Sequence, residues 1–305
     1  MAFTDASLTA LRVFREVAER GTLTAAAGAL GYTQSAVSRQ VAALERAAGA
    51  RLLERRHDGV RLTAAGRLVL RRAAAVVDEV DAAARELAGL PGEPATVRFG
   101  WFAAAGAVLV PRALAELRRT RPSIAVTGRE DGSSALVRAL RAGTLDVALL
   151  SSAPPFRAPD TETPPLEIEI LTERGLRVAV PAAHPLARGE YVDVADLHGR
   201  PWIASPAAPA GESPTLGVWP GLDERPETVF VVRDWLAKLA LVAAGCGLTT
   251  VPASMGPAVP EGVRVLPVRG GPREQRRLLL ARLPGPVPGP VADLAGVLRA
   301  TAVGS

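Results

Sequence analysis

Chemistry that depends on sulfur, imidazole or free amines has little to work with in this 305-residue chain. The single cysteine, Cys246, rules out an intramolecular disulfide and a thiolate cluster for a metal. The three histidines, His57, His184 and His198, show no metal-ligand spacing such as H-E-x-x-H. No G-x-S-x-G elbow, P-loop or G-x-G-x-x-G follows an expected strand, so an enzyme is the rival class rather than the leading one, and no cofactor or metal is expected. The longest uncharged run, Leu239 to Pro260, is interrupted by glycine, proline and hydroxyl residues and does not read as a membrane helix. The opening MAFTDASLTALRVFREVAERG carries charge where a secretion signal would be apolar, which makes the cytoplasm the expected compartment. Lysine is nearly absent. Lys238 is the only one, and arginine supplies every other side-chain cation behind a net charge of +5 and a pI near 10.4.

The apolar share of 48% and charged share of 22% are those of a globular protein, and the length suggests about two domains. The most informative stretch is Thr22 to Glu45, TLTAAAGALGYTQSAVSRQVAALE. It reads as two short helices separated by Gly31-Tyr32, with Thr33 as the N-cap of the second. Val37, Val41 and Leu44 recur at spacings of four and three and form one buried face. Gln34, Ser35, Ser38 and Arg39 fall on the other side. Exposed Gln, Ser and Arg in the first turns of a helix suit the major groove, where they match adenine and guanine edges. A solvated amphipathic helix would show the same pattern, so the flanks matter. Residues 1 to 62 carry nine arginines against six acids, which fits phosphate contact without proving it.

Those flanks are Leu11, Phe14 and Val17 before the stretch, and Leu44-Glu45, Leu52-Leu53, Arg55 and Leu62-Thr63-Ala64-Ala65-Gly66 after it. The ordered pattern L-x-x-F-x-x-V, T-x-A-A, Q-S-A-V-S-R-Q, L-E and L-T-x-x-G closely resembles the N-terminal winged helix-turn-helix of the LysR-type transcriptional regulators. The resemblance implies a DNA-reading domain at residues 1–62. Thr33, Gln34, Ser35, Ser38 and Arg39 would face the groove. Arg55 and Arg56 would sit on a wing, a hairpin over 51–62 turning at His57-Asp58-Gly59. Two positions depart from the family: Leu53 replaces a usual Phe, and Ser35 replaces a frequent Pro.

Residues 63–89 read as a long linker helix. Val69, Ala73, Val76, Val80, Ala83 and Leu87 step by four and three along one seam. The seam would pack either within the chain or against a second subunit, and the resemblance favours dimerisation. Leu90-Pro91-Gly92-Glu93-Pro94 is a hinge. From Thr96 strands and helices alternate, so the fold class is α/β, with an N-terminal winged helix-turn-helix and a C-terminal two-lobed domain over 95–305. Pro111-x-x-Leu114-x-x-Leu117, Gly143 to Ala148, His184 to Ala187 and Val242 to Gly247 with Pro252 resemble the same family's effector-binding domain. That resemblance implies lobe I over 95–152 plus 267–305, lobe II over 166–265, and a small-molecule effector between them.

Ligands of open α/β sheets lie beyond the carboxyl ends of strands. This selects Phe102, Ala103 and Ala104, Ser133 and Ser134, Ser151, Trp202 and Ser205, and Arg233. Many relatives have Ser or Thr after the first strand, where this chain has Trp101-Phe102-Ala103-Ala104. A carboxylate held there in the usual way is therefore in doubt, and a more apolar effector is suggested. The partners implied are double-stranded DNA with two-fold symmetry, an effector, RNA polymerase, and further copies of the chain as homodimer or homotetramer. A solute-binding module without regulation is the remaining rival, and the first 66 residues speak against it.

Overall fold

The computed structural model describes residues 3–56, 59–87, 96–206, 217–222, 224–271 and 274–303. The expected hinge over 90–94 and the expected turn at His57-Asp58 lie outside them.

Three capped helices open the chain: α1 (Leu8–Arg20), α2 (Leu23–Leu30) and α3 (Gln34–Ala48). Ser7, Thr22 and Thr33 each accept a hydrogen bond from the backbone N–H three residues on, at 3.1, 3.0 and 3.2 Å. Gly31 ends α2 at φ 67°, a conformation that side-chain-bearing residues rarely adopt. Val13 and Val17 of α1, Ala26 and Ala27 of α2, and Val37 and Val41 of α3 bury one another. A two-stranded hairpin follows, β1 (Leu53–Arg56) paired with β2 (Gly59–Leu62). Glu45 anchors it, accepting backbone N–H groups of Leu52 and Leu53 at 2.8 and 3.2 Å. This gives the Leu-Glu pair of the motif a structural task.

The long helix α4 (Ala64–Leu87) starts at Thr63, whose hydroxyl accepts the Gly66 N–H at 2.9 Å. Gly66 is required for close approach: a Cβ there would overlap the carbonyl oxygen of Leu52. Val69, Leu70, Ala73 and Val77 of α4 bury against Leu11 and Phe14 of α1 and Leu44 of α3.

The C-terminal region is built on one eight-stranded sheet. Its first half comprises β3 (Thr96–Trp101), β4 (Ala125–Glu130) and β5 (Val147–Ser152). These strands are flanked by α5 (Ala103–Ala107), α6 (Leu109–Thr120), α7 (Ser133–Arg141) and the last helix, α9 (Gly289–Val303). A break at Val108 separates the short α5 from α6. The second half adds β7 (Val192–Asp193), β10 (Thr249–Pro252) and β11 (Val263–Arg269). A separate parallel pair, β8 (Pro201–Ala204) and β9 (Glu227–Val231), sits with α8 (Trp235–Ala243).

Two strands bridge the halves: β6 (Glu167–Pro181) and β12 (Gln275–Arg282). β6 pairs with β12 from Glu167 to Gly175, and from Leu176 to Pro181 it pairs with β10 and β11. Its first half therefore belongs to lobe I, where the expectation gave all of 166–265 to lobe II. The residues of β6 alone do not reveal where the strand changes partners.

The N-terminal helices and the first half of the C-terminal region are joined by charge. Arg129 Nη1 meets Glu19 Oε1 at 2.5 Å, and Arg138 Nε donates to the Glu19 carbonyl at 3.0 Å. Asp78 of α4 takes Arg15 at 2.8 Å and Arg98 at 3.1 Å, and Arg98 also pairs with Asp146 at 2.7 Å. Burial and these carboxylates act in opposite directions on Arg98, and its pKa is raised above the ordinary arginine value. Ala142, just after α7, is fully buried in the core that α1, α3 and α4 share.

Candidate DNA-reading face and ligand cleft

The recognition geometry follows from the caps. With Thr33 holding the first turn and Val37, Val41 and Leu44 buried, α3 turns Gln34, Ser35 and Arg39 to solvent and leaves Ser38 half-buried. The Thr33 and Ser35 hydroxyls lie 3.0 Å apart, so these two candidate contacts already order each other. On the hairpin, Arg55 and Arg56 are exposed; Arg56 sits 3.5 Å from Glu54 and Arg55 stands opposite Val60. The Val60 N–H donates to the Gly21 carbonyl at 2.8 Å, which fixes the wing against the end of α1.

The expected dimer seam divides. Val69 and Ala73 are buried within their own chain, so they are not free for a partner. Val76 and Val80 are 47% and 40% exposed, and Ala83 is exposed as well. The Leu87 side chain lies outside the described residues. Leu68 is 53% exposed as well. The correction has a simple cause: the seam is one stripe, and its first turns are covered by α1 while its later turns extend beyond that cover.

In the C-terminal region the strand-end residues separate into groups. Ser133 does not cap α7; its hydroxyl accepts the Ser151 N–H at 3.1 Å and ties the helix start to the end of β5. Ser134 is half-buried beside it. Ala103 and Arg233 line an open depression with Glu130, Trp235 and Leu239. Phe102, Ala104 and Ser151 line a second, mostly apolar cavity on the other side of α5. Trp202 is fully buried among Leu197, Leu248 and Leu266, so it is core and not a ligand shelf. Its ring occupies the space between β8 and the sheet, which burial alone decides.

Ser205 leads to a residue that motif reasoning passed over. Its hydroxyl is 2.5 Å from Lys238 Nζ, and that ammonium lies 4.7 Å from the Trp235 ring centre. Lys238 is fully buried, and desolvation pushes its pKa down to about 8. The folded chain thus favours the neutral amine more than the unfolded chain does. Below pH 8 it must carry a buried charge, and stability rises as pH climbs from about 8 towards the ordinary lysine value. Lys238→Met is expected to stabilise the protein at pH 7 by about 2 kcal/mol. It should also flatten the wild-type rise above pH 8, both read by urea titration across pH. Equal pH profiles for the two proteins would show that the amine is neutralised some other way.

Among the described residues no group of His, Cys, Asp and Glu could hold a metal ion, and no helix is long and apolar enough to cross a membrane.

A capped tri-helical unit with a β-wing, joined by a long helix to two α/β lobes bridged by paired strands, defines a ligand-binding regulator of the winged helix-turn-helix class. Residues 8–67 match the model of the bacterial regulatory helix-turn-helix protein, lysR family, and residues 91–302 match the LysR substrate binding domain. The chain belongs to the LysR family of DNA-binding transcriptional regulators, with a C-terminal effector-binding domain. It is 30% identical over 248 residues to the regulator ClcR of Pseudomonas putida, covering 80% of this chain and 82% of that one. To the regulator BenM of Acinetobacter baylyi it is 29% identical, covering 80% and 79%. A full-length variant of OxyR from Pseudomonas aeruginosa superposes with a TM-score of 0.60 at 23% identity, covering 97% of this chain and 94% of that one. CbnR in complex with its target DNA gives 0.52 at 24%, covering 97% and 99%.

Proposed function

We propose that the chain is a cytoplasmic regulator, and not an enzyme, that reads a two-fold symmetric operator as a homodimer or a homotetramer of such dimers. A small molecule bound beside the bridging strands alters its action at a promoter, where RNA polymerase is the further partner. The observation that carries this reading is α3. Its back is buried, its N-terminus is capped, and Gln34, Ser35 and Arg39 stand exposed in the first turns, the positions that reach base edges in the major groove. Thr33 and Ser38 would contact adjacent phosphates, and Arg55 and Arg56 would clamp the backbone from the wing. CbnR, a structural relative, has been seen on its target DNA, which supports the same placement here. For the domain organisation we retain 1–62, 63–89, 90–94 and 95–305, with lobe II starting inside β6. For the effector we retain Phe102, Ala103, Ala104, Ser133, Ser134, Ser151, Ser205 and Arg233.

Two substitutions separate base reading from backbone clamping. Arg39→Ala is expected to weaken binding to the preferred site by about 1–3 kcal/mol and to relax one base position. Arg55→Ala should weaken all sequences alike and lower the slope of log K against log salt by about one unit. Footprinting and anisotropy across a salt series read both. Unchanged site preference and affinity in Arg39→Ala would remove α3 from the groove, and a loss confined to one base in Arg55→Ala would contradict the wing's role.

A further inference from the structure

The fold seats its one lysine amine beside a hydroxyl at the carboxyl end of a parallel strand. β8 and β9 run parallel, and Ser205 follows directly on the last residue of β8, Ala204. The Val232 N–H donates to the Ala204 carbonyl at 2.8 Å and fixes the backbone just before Ser205. Helix α8 begins at Trp235, capped by Asp234, whose carboxylate accepts the Ala237 N–H at 2.7 Å. The carboxyl ends of parallel strands and the start of a following helix are where α/β sheets meet their ligands.

Lys238 stands in the first turn of α8. Side chains on a helix lean towards its N-terminus, and Nζ lies 4.7 Å from the Trp235 ring centre. The amides of a first turn carry partial positive charge, which opposes a further positive charge on the amine. Burial acts in the same direction: the residue is fully buried, and desolvation lowers its pKa to about 8. At pH 7 roughly a tenth of the chains therefore hold the neutral amine, far more than for an ordinary lysine. The neutral amine has a lone pair, and the Ser205 hydroxyl stands 2.5 Å from it, placed to donate. Ser205 itself is only half-buried. Arginine, the cation used everywhere else in the chain, would stay protonated at this place; lysine can give its proton up. A desolvated base within hydrogen-bond reach of a less buried hydroxyl is the arrangement that makes serine a nucleophile.

We propose that Ser205 is a site of covalent acylation, with Lys238 as its general base and an activated ester of a short aliphatic acid as the acyl donor. The Ser205 oxygen attacks the carbonyl carbon of the donor while its proton passes to Nζ. The tetrahedral adduct collapses, the bond from that carbon to the leaving oxygen breaks, and Nζ returns the proton to the leaving alcohol. The products are O-acyl Ser205 and the free alcohol, and no oxidant or reductant takes part. Ile203, Val232, Trp235 and Leu239 belong to one apolar cluster at this place, which suits a short aliphatic acyl group. The proposal rests on the reading of Ser205 as an effector contact and turns that contact into a bond. It is one event per chain and not turnover, so the chain records a reactive acyl donor without consuming it as a substrate.

The test uses the full chain and p-nitrophenyl butyrate at about pH 8, where half of the Lys238 amines are neutral. Nitrophenolate release follows the reaction, intact mass gives the stoichiometry, and peptide mapping gives the site. The wild type is expected to release one equivalent in a burst and to retain one butyryl group on Ser205. Ser205→Ala should lose the burst, and Ser205→Cys should recover it. Lys238→Met, which is expected to fold at least as well as the wild type, should slow the burst at least a hundredfold, the scale of a lost general base. Butyryl groups scattered over the surface without enrichment at Ser205, butyrylation of Lys238 itself, or an unchanged burst in Lys238→Met would each overturn the proposal. Steady release with no retained acyl group would overturn it as well, since that is hydrolysis. Failure of the regulator reading is visible separately. A footprint with symmetric half-sites and no acylation removes this site alone, whereas acylated Ser205 without sequence preference on DNA leaves the site and removes the regulator.

Discussion

Replacing Val76 and Val80 together with aspartate is expected to leave the chain folded but monomeric, and to weaken operator binding by at least a hundredfold. Both valines are about half exposed, so charge there costs the isolated chain little. In a pair of linker helices the same positions would be covered. Burial of a valine contributes about 1.5–3 kcal/mol, counted once per subunit, and aspartates would add facing negative charge on a seam with short reach. The DNA effect is larger than the dimer effect because two linked recognition helices gain about 10²–10⁴ in avidity over one. Light scattering at micromolar protein and anisotropy on a symmetric operator give the two readouts. Intact dimers would move the interface elsewhere on the chain. A monomer that still bound its operator at full strength would mean that each half-site is read independently.

The second large effect is expected at Gly66→Ala. In an exposed helix this change normally stabilises by about 1 kcal/mol, because alanine is the better helix former. Here the new methyl would collide with the Leu52 carbonyl, a backbone atom that already accepts the Thr63 N–H at 3.0 Å and cannot swing aside. Leu52 is fully buried, so the strain is transmitted to the core shared by α1, α3 and α4. Overpacking of this kind costs about 1–3 kcal/mol or more and should exceed the propensity gain. Guanidinium titration would show the loss, and weaker binding to all DNA sequences would follow from the displaced wing. Gly28→Ala in α2 is the matched control: nothing lies within 4 Å of its added carbon, so it should be neutral or stabilising. If both variants proved equally stable, the close approach at Leu52 would have slack that the backbone positions do not suggest.

What could be read from the chain followed the range of the interactions involved. Caps, turns and the buried stripe of α3 are set within a few residues, so Thr33, Val37, Val41 and Leu44 were readable directly from their spacing. Glu45 and Gly66 were readable as motif letters, but their reasons lie across space: one caps the start of the hairpin, and the other makes room for Leu52. The phase of the linker seam was not fixed by periodicity, because Val69 and Ala73 satisfy the same repeat as Val76 and Val80 while facing the core. Trp202 illustrates a different limit. A tryptophan at a strand end suits a ligand shelf and a core equally well, and only the packing of Leu197 and Leu248 around it decides. That Arg174 and Arg276 are cross-strand partners was not readable either. Only the register of β6 against β12 makes them neighbours, and spacing along the chain does not reveal it.

The near-absence of lysine has a consequence for how such a protein can be controlled. Every cation on the proposed DNA face is a guanidinium, and the one ε-amine is sealed beneath Trp235 and Ser205. Enzymes that acylate lysine have no target side chain there, and guanidinium groups keep their charge throughout the physiological range. Apart from the imidazole of His57, the charge of the proposed face is therefore constant, out of reach of the acetyl-group economy of the cell. In the proposed reading, what remains adjustable is distance: how far apart two such faces are held, and which small molecule holds them there.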